Sequence, residues 1–166
     1  MGVDAVAGSV VLFKKDGGII SKLIAKITGS DITHSAVLYD GQLFDASERR
    51  GNFGRANINK LKTRDVEVYP LGASVQQLEV WLVLHNGKKY DYAGVLQWAL
   101  YGVFGRFFKG HKLNQAKKVY CFEATAALLT KITGLKYPAN ISGDHLRRTL
   151  GRPTYTGKLN GFLNHV

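Results

Sequence analysis

Apolar positions in this chain alternate between strand-like runs and helical spacings, with glycine or proline turns between them. Ser9 to Phe13 (Ser-Val-Val-Leu-Phe) is a short β-branched run that ends at Lys14-Lys15-Asp16-Gly17-Gly18, the pattern of a buried strand leaving through a turn. Ile19, Ile20, Leu23, Ile24 and Ile27 then recur at helical spacing with Lys22 and Lys26 opposite, and Gly29 supplies the stop. Thr33 to Tyr39 and Gln42 to Ala46 flank Asp40-Gly41, which predicts a two-residue hairpin. With the turn there, Tyr39 pairs with Gln42, and the register runs through Leu38 with Leu43 and Ala36 with Asp45 to His34 with Ser47. Alternation places His34, Ala36, Leu38, Leu43, Asp45 and Ser47 on one face. His34 and Asp45 become diagonal cross-strand neighbours, roughly 7–8 Å apart at the backbone, close enough for their side chains to meet.

The rest of the chain gives shorter signals. Ser47 to Lys62 reads as a basic, glycine-containing loop able to flank a cleft, and Asp65 to Tyr69 as a strand closed by Pro70. Ser74 and Gln77 form a capping box for a helix that uses Val75, Leu78, Trp81 and Leu82 and stops at Asn86-Gly87. A further helix is expected from Tyr92 to about Tyr101. The apolar and aromatic continuation through Val103, Phe104, Phe107 and Phe108 fits either loop packing or an interfacial element that touches lipid or covers a site. After Cys121, Phe122, Ala126 and Leu129 lie on one side of a helix and Ala124, Leu128 and Ile132 on another, with Gly134 as the stop, so this helix is expected to be central and buried. Tyr137 to Asn140 reads as a turn and Ser142 starts a short helix through Leu150. The segment from Thr154 to Val166 carries no clear period.

A chain of 166 residues with 45% hydrophobic and 11% aromatic residues is most simply one domain spanning 1–166. Its net charge of +11 predicts attraction to nucleic acid, anionic lipid or acidic cell-wall polymers. The cations are dispersed in small groups, which reads mostly as solvated surface. A single cysteine excludes an internal disulfide and makes a reduced compartment the default. Met1 to Ala7 lacks a secretory pattern, and the uncharged run from Tyr92 to Gly105 is shorter than the ~20 residues a spanning helix needs. A cytoplasmic monomer is therefore expected, with release to the cell wall or association with a virion left open. Scattered histidines and one cysteine give no zinc-ligand spacing, and no glycine-rich loop follows a strand, so no metal or nucleotide cofactor is expected.

Three residues carry candidate chemistry. Cys121 stands in the first turn of its helix, where unpaired N–H groups and the dipole favour a thiolate; the alternative is a small core hydrophobe. His34, as a strand histidine, reads more readily as a packed or half-exposed residue than as a proton carrier. An Asp45 among Ala36, Leu38 and Leu43 needs a hydrogen-bonding partner, either a nearby turn or His34.

The order Gly8-Ser9-Val10-Val11-Leu12-Phe13, an amphipathic helix, Thr33-His34-Ser35-Ala36-Val37-Leu38-Tyr39, Phe44-Asp45-Ala46, Gly87-Lys88-Lys89-Tyr90-Asp91 and Tyr120-Cys121-Phe122-Glu123 resembles the YiiX-type, circularly permuted papain-like proteins. These are relatives of the NlpC peptidases and of lecithin retinol acyltransferase. The resemblance runs from about Gly8 to Leu150. It implies an α+β fold in which a small antiparallel sheet packs against a central cysteine-bearing helix and flanking helices. It also implies Cys121 as nucleophile, His34 as base and Asp45 as the residue orienting the imidazole. Ser9 departs from the Asp common in relatives, and Phe122 stands where they often carry Ser. The Cys121 N–H is the first expected oxyanion donor, and Tyr120, Phe122 and Ser47 complete the candidate oxyanion and substrate-binding set. The implied activity is a cysteine hydrolase cleaving an amide bond in a cell-wall peptide or similar substrate. Acyl transfer or lipid and thioester hydrolysis is the alternative, and a non-enzymatic binder of nucleic acid or anionic polymer is the third.

Overall fold

The structure, a computed structural model, describes residues 8–93, 95, 118–137 and 141–164. Strands β1 (Gly8–Lys14), β2 (Ile32–Tyr39), β3 (Gln42–Ser47), β4 (Asn52–Arg55), β5 (Asp65–Leu71), β6 (Lys89–Tyr90), β7 (Lys118–Val119) and β8 (Tyr155–Lys158) form one sheet in the order β7-β6-β4-β3-β2-β1-β5-β8. Neighbours are antiparallel except for the parallel β6–β7 pair. Helices α1 (Ile19–Thr28), α2 (Ile58–Leu61), α3 (Val75–His85), α4 (Cys121–Thr133), α5 (Gly143–Leu150) and α6 (Leu159–Leu163) surround it.

Both faces of the sheet are covered, which explains why β1 is apolar without alternation. On one face Val10, Leu12 and Val37 pack against Leu78 and Trp81 of α3, Leu128 of α4 and Leu146 of α5. On the other, Val11, Phe13, Ala36, Leu38, Leu43, Val66 and Val68 meet Leu159, with Ile58 and Leu61 of α2 alongside. The hairpin forms as expected at its turn: Asp40 and Gly41 both have positive φ, 48° and 66°, and pair Tyr39 with Gln42 and Leu38 with Leu43. The β2–β3 ladder continues only to Val37 with Phe44, so the expected backbone pairs Ala36 with Asp45 and His34 with Ser47 are absent.

Several sequence expectations are revised. The loop expected over Ser47 to Lys62 contains β4 and α2, whose short apolar content is too small to register as a period. Pro70 does not close β5: it pairs with Ser9 inside the strand. Its missing N–H is tolerated because β8 covers β5 only as far as Val68, leaving that side of Pro70 without a partner strand. In α3 the capping box forms in both directions, but Val75 is exposed and His85 takes the buried place one turn after Trp81. Helix α1 has the expected amphipathic pattern and a left-handed Gly29 at its end, yet Ile19 is 87% and Leu23 52% exposed. Most of the helix expected from Tyr92 to Tyr101, the aromatic stretch from Val103 to Phe108, and the turn residues Pro138 to Asn140 lie outside the described residues. The segment after Thr154, without a sequence period, supplies β8 and α6.

Three hydrogen bonds fix the start of α4, one from α3, one to the sheet and one within the helix. Trp81 Nε1 donates to Ala124 O at 3.0 Å, the Ser35 and Thr125 hydroxyls bond at 2.9 Å, and Thr125 Oγ1 donates to Cys121 O at 3.2 Å. Helix α5 approaches β2 so closely that a Cβ at Gly143 would overlap Ile32. It is also tied to the sheet by Arg147, which binds Glu67 through Nε and Nη2 at 2.9 Å each and Asp31 at 2.8 Å; Tyr69 OH donates to the same Glu67 at 2.7 Å. Removing the guanidinium strands a largely buried carboxylate, so Arg147→Met is expected to lower unfolding free energy by about 2–3 kcal/mol in urea denaturation. A loss below about 0.5 kcal/mol would show that solvent already satisfies Glu67.

Candidate active site

The two halves of the site come from opposite ends of the sequence. His34 enters from β2 beside an irregularity: Phe13 pairs with His34 but Lys14 with Ile32, so Thr33 is the extra residue of a bulge. Bulges bend a strand and re-aim the neighbouring side chain. The Thr33 hydroxyl is taken up by Ser21 of α1 at 2.9 Å. Asp45 reaches across from β3, and its Oδ2 lies 2.7 Å from His34 Nε2. Arg50, from the β3–β4 turn, donates through Nη2 to Asp45 Oδ1 at 2.6 Å and to Asp45 O at 2.7 Å. Cys121 is the first residue of α4, so its backbone N–H belongs to the group a helix start leaves without an intrahelical acceptor. Its side chain and the His34 ring line the same cleft and are near enough to interact electrostatically. Because Asp45 occupies Nε2, Nδ1 is the ring nitrogen left for the sulfur.

These groups open onto a cleft of about 740 Å³ lined by Cys121, His34, Asp45 and Ser47 together with Tyr90 and residues of α1 and of the 48–64 segment. Of the residues expected from sequence, Cys121, His34, Asp45 and Ser47 are therefore brought together. Tyr120 and Phe122 are not on this cleft. Phe122 is 2% exposed and packs in the core, because the position after a helix's first residue turns toward the sheet here. Tyr120 is buried, with its hydroxyl aimed at Ile141 O at 3.5 Å. Both instead line a small apolar recess behind the thiol.

Two residues went unnoticed in sequence. Arg50 sat in a loop read only as basic, and nothing in its spacing signalled a bond back to Asp45. Tyr90 sat within the Gly87 to Asp91 motif without an assigned task; it is 7% exposed, lines the cleft beside Cys121, and its hydroxyl has no hydrogen-bond partner among the described residues. Burial and the neighbouring Cys121 and Glu48 charges push its ionisation far upward, so it stays a protonated donor.

Charge is organised along the same line. Burial pulls the His34 imidazolium toward neutrality, but its interactions with Cys121 and with the Asp45 carboxylate outweigh it and push the ring up to about 10. Burial likewise opposes the Asp45 carboxylate, yet hydrogen bonds and charge from His34 and Arg50 hold it below its ordinary 3.8. The site thus favours an imidazolium held against the Asp45 carboxylate. One turn into α4, Glu123 accepts the Tyr120 N–H; burial, aided by Asp91, still lifts it to about 7.

No protein-family model matches this chain, and no curated protein sequence does. Among solved structures, the fold is similar to that of the metalloprotein YiiX from Escherichia coli O157:H7, with a TM-score of 0.52, 18% identity, and coverage of 78% of this chain and 67% of that one. At that identity the likeness supports a YiiX-like fold, mixed α+β, and nothing finer. A metal is named for that neighbour; among the described residues here, no group of three or more His, Cys, Asp or Glu is placed to hold a metal ion. No helix among them is long and apolar enough to cross a membrane.

The pairing makes stability pH-dependent in a stated direction. Because folding raises His34 from 6.5 to about 10, its contribution is complete below pH 6.5 and is lost as pH climbs through about 10. Asp45 behaves oppositely: its contribution is present above pH 3.8 and is lost in more acid solution. The unfolding free-energy difference between wild type and His34→Gln is expected to shrink steadily from neutral to alkaline pH. A difference independent of pH across that range would contradict the ion pair.

Proposed function

We propose that the protein is a cysteine hydrolase that cleaves an amide bond through a thioester on Cys121. The observation that carries this reading is the continuous line Arg50, Asp45, His34, Cys121 at the wall of one cleft, with hydrogen bonds of 2.6 Å and 2.7 Å along its first two links. Arg50 and Asp45 fix Nε2 of the imidazole, which leaves Nδ1 for the sulfur. The proton sits on His34 before substrate arrives, so His34 acts first as an acid toward the leaving group, its base step being complete in the resting pair.

The thiolate adds to the carbonyl carbon, and the carbonyl oxygen takes the negative charge. The Cys121 N–H is one donor to it, and the Tyr90 hydroxyl replaces Tyr120 as the second. Collapse breaks the C–N bond, and His34 Nδ1 delivers its proton to the departing amine. Water then adds to the thioester, giving a proton back to His34, and the acid product leaves with the thiolate restored. A cell-wall peptide or similar peptide-like molecule is the substrate class we favour.

A second reading, acyl-lipid or thioester hydrolysis or acyl transfer by the same pair, is favoured by one observation. The cleft wall contributed by α1 is apolar, with Ile19 and Ile24 lining it and Ile19 and Leu23 open to solvent. Mass spectrometry of Cys121 after incubation with peptidoglycan fragments or acyl lipids separates the two, since the adduct is a peptidyl group in one case and a fatty acyl group in the other.

Cys121→Ala is expected to abolish turnover of whichever substrate loads the thiol, and an equally active variant would end the proposal. Tyr90→Phe, which keeps the ring, is expected to lower kcat by about 10²-fold with little change in KM, as befits loss of one oxyanion donor. An unchanged kcat would remove Tyr90 from the mechanism.

A further inference from the structure

Resting on the reading of Cys121 as nucleophile, we infer that the cleft beside it contains an oxyanion-binding subsite formed by Arg49, Arg55 and Lys60, which selects substrates carrying a carboxylate or phosphate close to the scissile carbonyl. The cleft has two unlike walls. One, from α1, presents Gly18, Ile19, Ser21 and Ile24; the other, from residues 48–64, presents the cations Arg49, Arg50, Arg55, Lys60 and Arg64.

Pairing within the cleft leaves a positive surplus. Arg50 is committed to Asp45, and Arg64 is held by Lys14 O at 2.6 Å with Asp16 at 3.4 Å from its Nε. Arg49, Arg55 and Lys60 make no ion pair among the described residues, and Glu48 is the carboxylate left to oppose them on the lining. Arg49 and Arg64 are near enough for each to oppose the other's charge, a repulsion that Asp16 and Glu48 reduce and that a bound anion would reduce further. A surplus of one sign in a concave, partly desolvated site concentrates ligands of the opposite sign far more than the same charges spread on a convex surface.

The arrangement also has the right reach. Arg49 adjoins Arg50 in the turn, Arg55 ends β4 opposite Phe44, and both line the cleft that Cys121 lines. An anionic group on this wall would therefore share the cleft with the reacting carbonyl, with the apolar α1 wall taking the remainder of the substrate.

Alkylation of Cys121 tests this without knowledge of the natural substrate. Iodoacetate and iodoacetamide are nearly isosteric and differ in charge, and either loses iodide to the thiolate. The ratio of their rates in the whole protein, relative to the same ratio for N-acetylcysteine, is expected to favour iodoacetate by about tenfold or more. It is expected to fall by about that factor in the triple variant Arg49→Gln, Arg55→Gln, Lys60→Gln, and in molar salt. Protection of Cys121 from iodoacetamide by succinate or by inorganic phosphate then identifies which oxyanion fits, and protection by either supports the subsite. A normalised ratio near one, or one that the triple substitution leaves unchanged, overturns it. If instead neither reagent modifies Cys121 faster than the free thiol, the nucleophile reading itself fails, a result distinct from loss of the charge preference. Circular dichroism of the triple variant, which touches no residue in a described salt bridge, separates loss of the subsite from loss of the fold.

Discussion

A carboxylate buried beside apolar strands must be paired, and the bond between Asp45 and His34 is the interaction on which this site depends. Asp45 is 5% exposed and shares its sheet face with Leu43, so leaving it unpaired would cost several kcal/mol. Folding meets the requirement twice, with His34 on one oxygen and Arg50 on the other. The consequence for chemistry is directional. With Nε2 fixed against the carboxylate, the imidazole has Nδ1 left for chemistry.

Cys121 shares the cleft with His34 because α4 is held at a particular height on β2. Ser35 and Thr125 bond across the interface one residue after His34 and one turn after Cys121, so a single contact sets the separation of both. Trp81 fastens the neighbouring turn from α3, and Gly143 lets α5 close in on Ile32 from the other side. Parts of the molecule remote from the cleft, including the Arg147 and Glu67 pair, thereby contribute to the site's geometry by keeping α5 in place.

What the sequence disclosed follows from what leaves a local trace. Asp40-Gly41 announced the hairpin because two consecutive positive φ angles demand such residues, and the period-two alternation beyond it put His34 and Asp45 on one side. Gly134 and the apolar sides of α4 likewise marked a buried helix. The end of the β2–β3 ladder at Val37 and the bulge at Thr33, whose hydroxyl contacts Ser21 and Arg64, were not legible, since neither is marked by a turn residue. Arg50 was hidden for the same reason: its value lies in a bond to Asp45 made only after β4 folds back. Phe122 and Tyr120 were placed beside the substrate because they adjoin Cys121 in sequence, whereas the helix turns them into the core. Strand β8 and helix α6 are too short, and too exposed on one side, to impose a period.

The cleft that results is asymmetric in charge and polarity, with Cys121 and His34 on its lining between a cationic wall and an apolar one. Everything proposed for it rests on a proton residing on His34 while sulfur carries the negative charge. The most direct measurement is the NMR titration of the His34 imidazole in wild type and in Cys121→Ala. The account predicts an imidazolium that persists through neutral pH in wild type, titrating toward about 10, and a midpoint displaced downward once the sulfur is removed. A ring that is neutral at pH 7 in the wild-type protein, or that titrates identically in both, would contradict it.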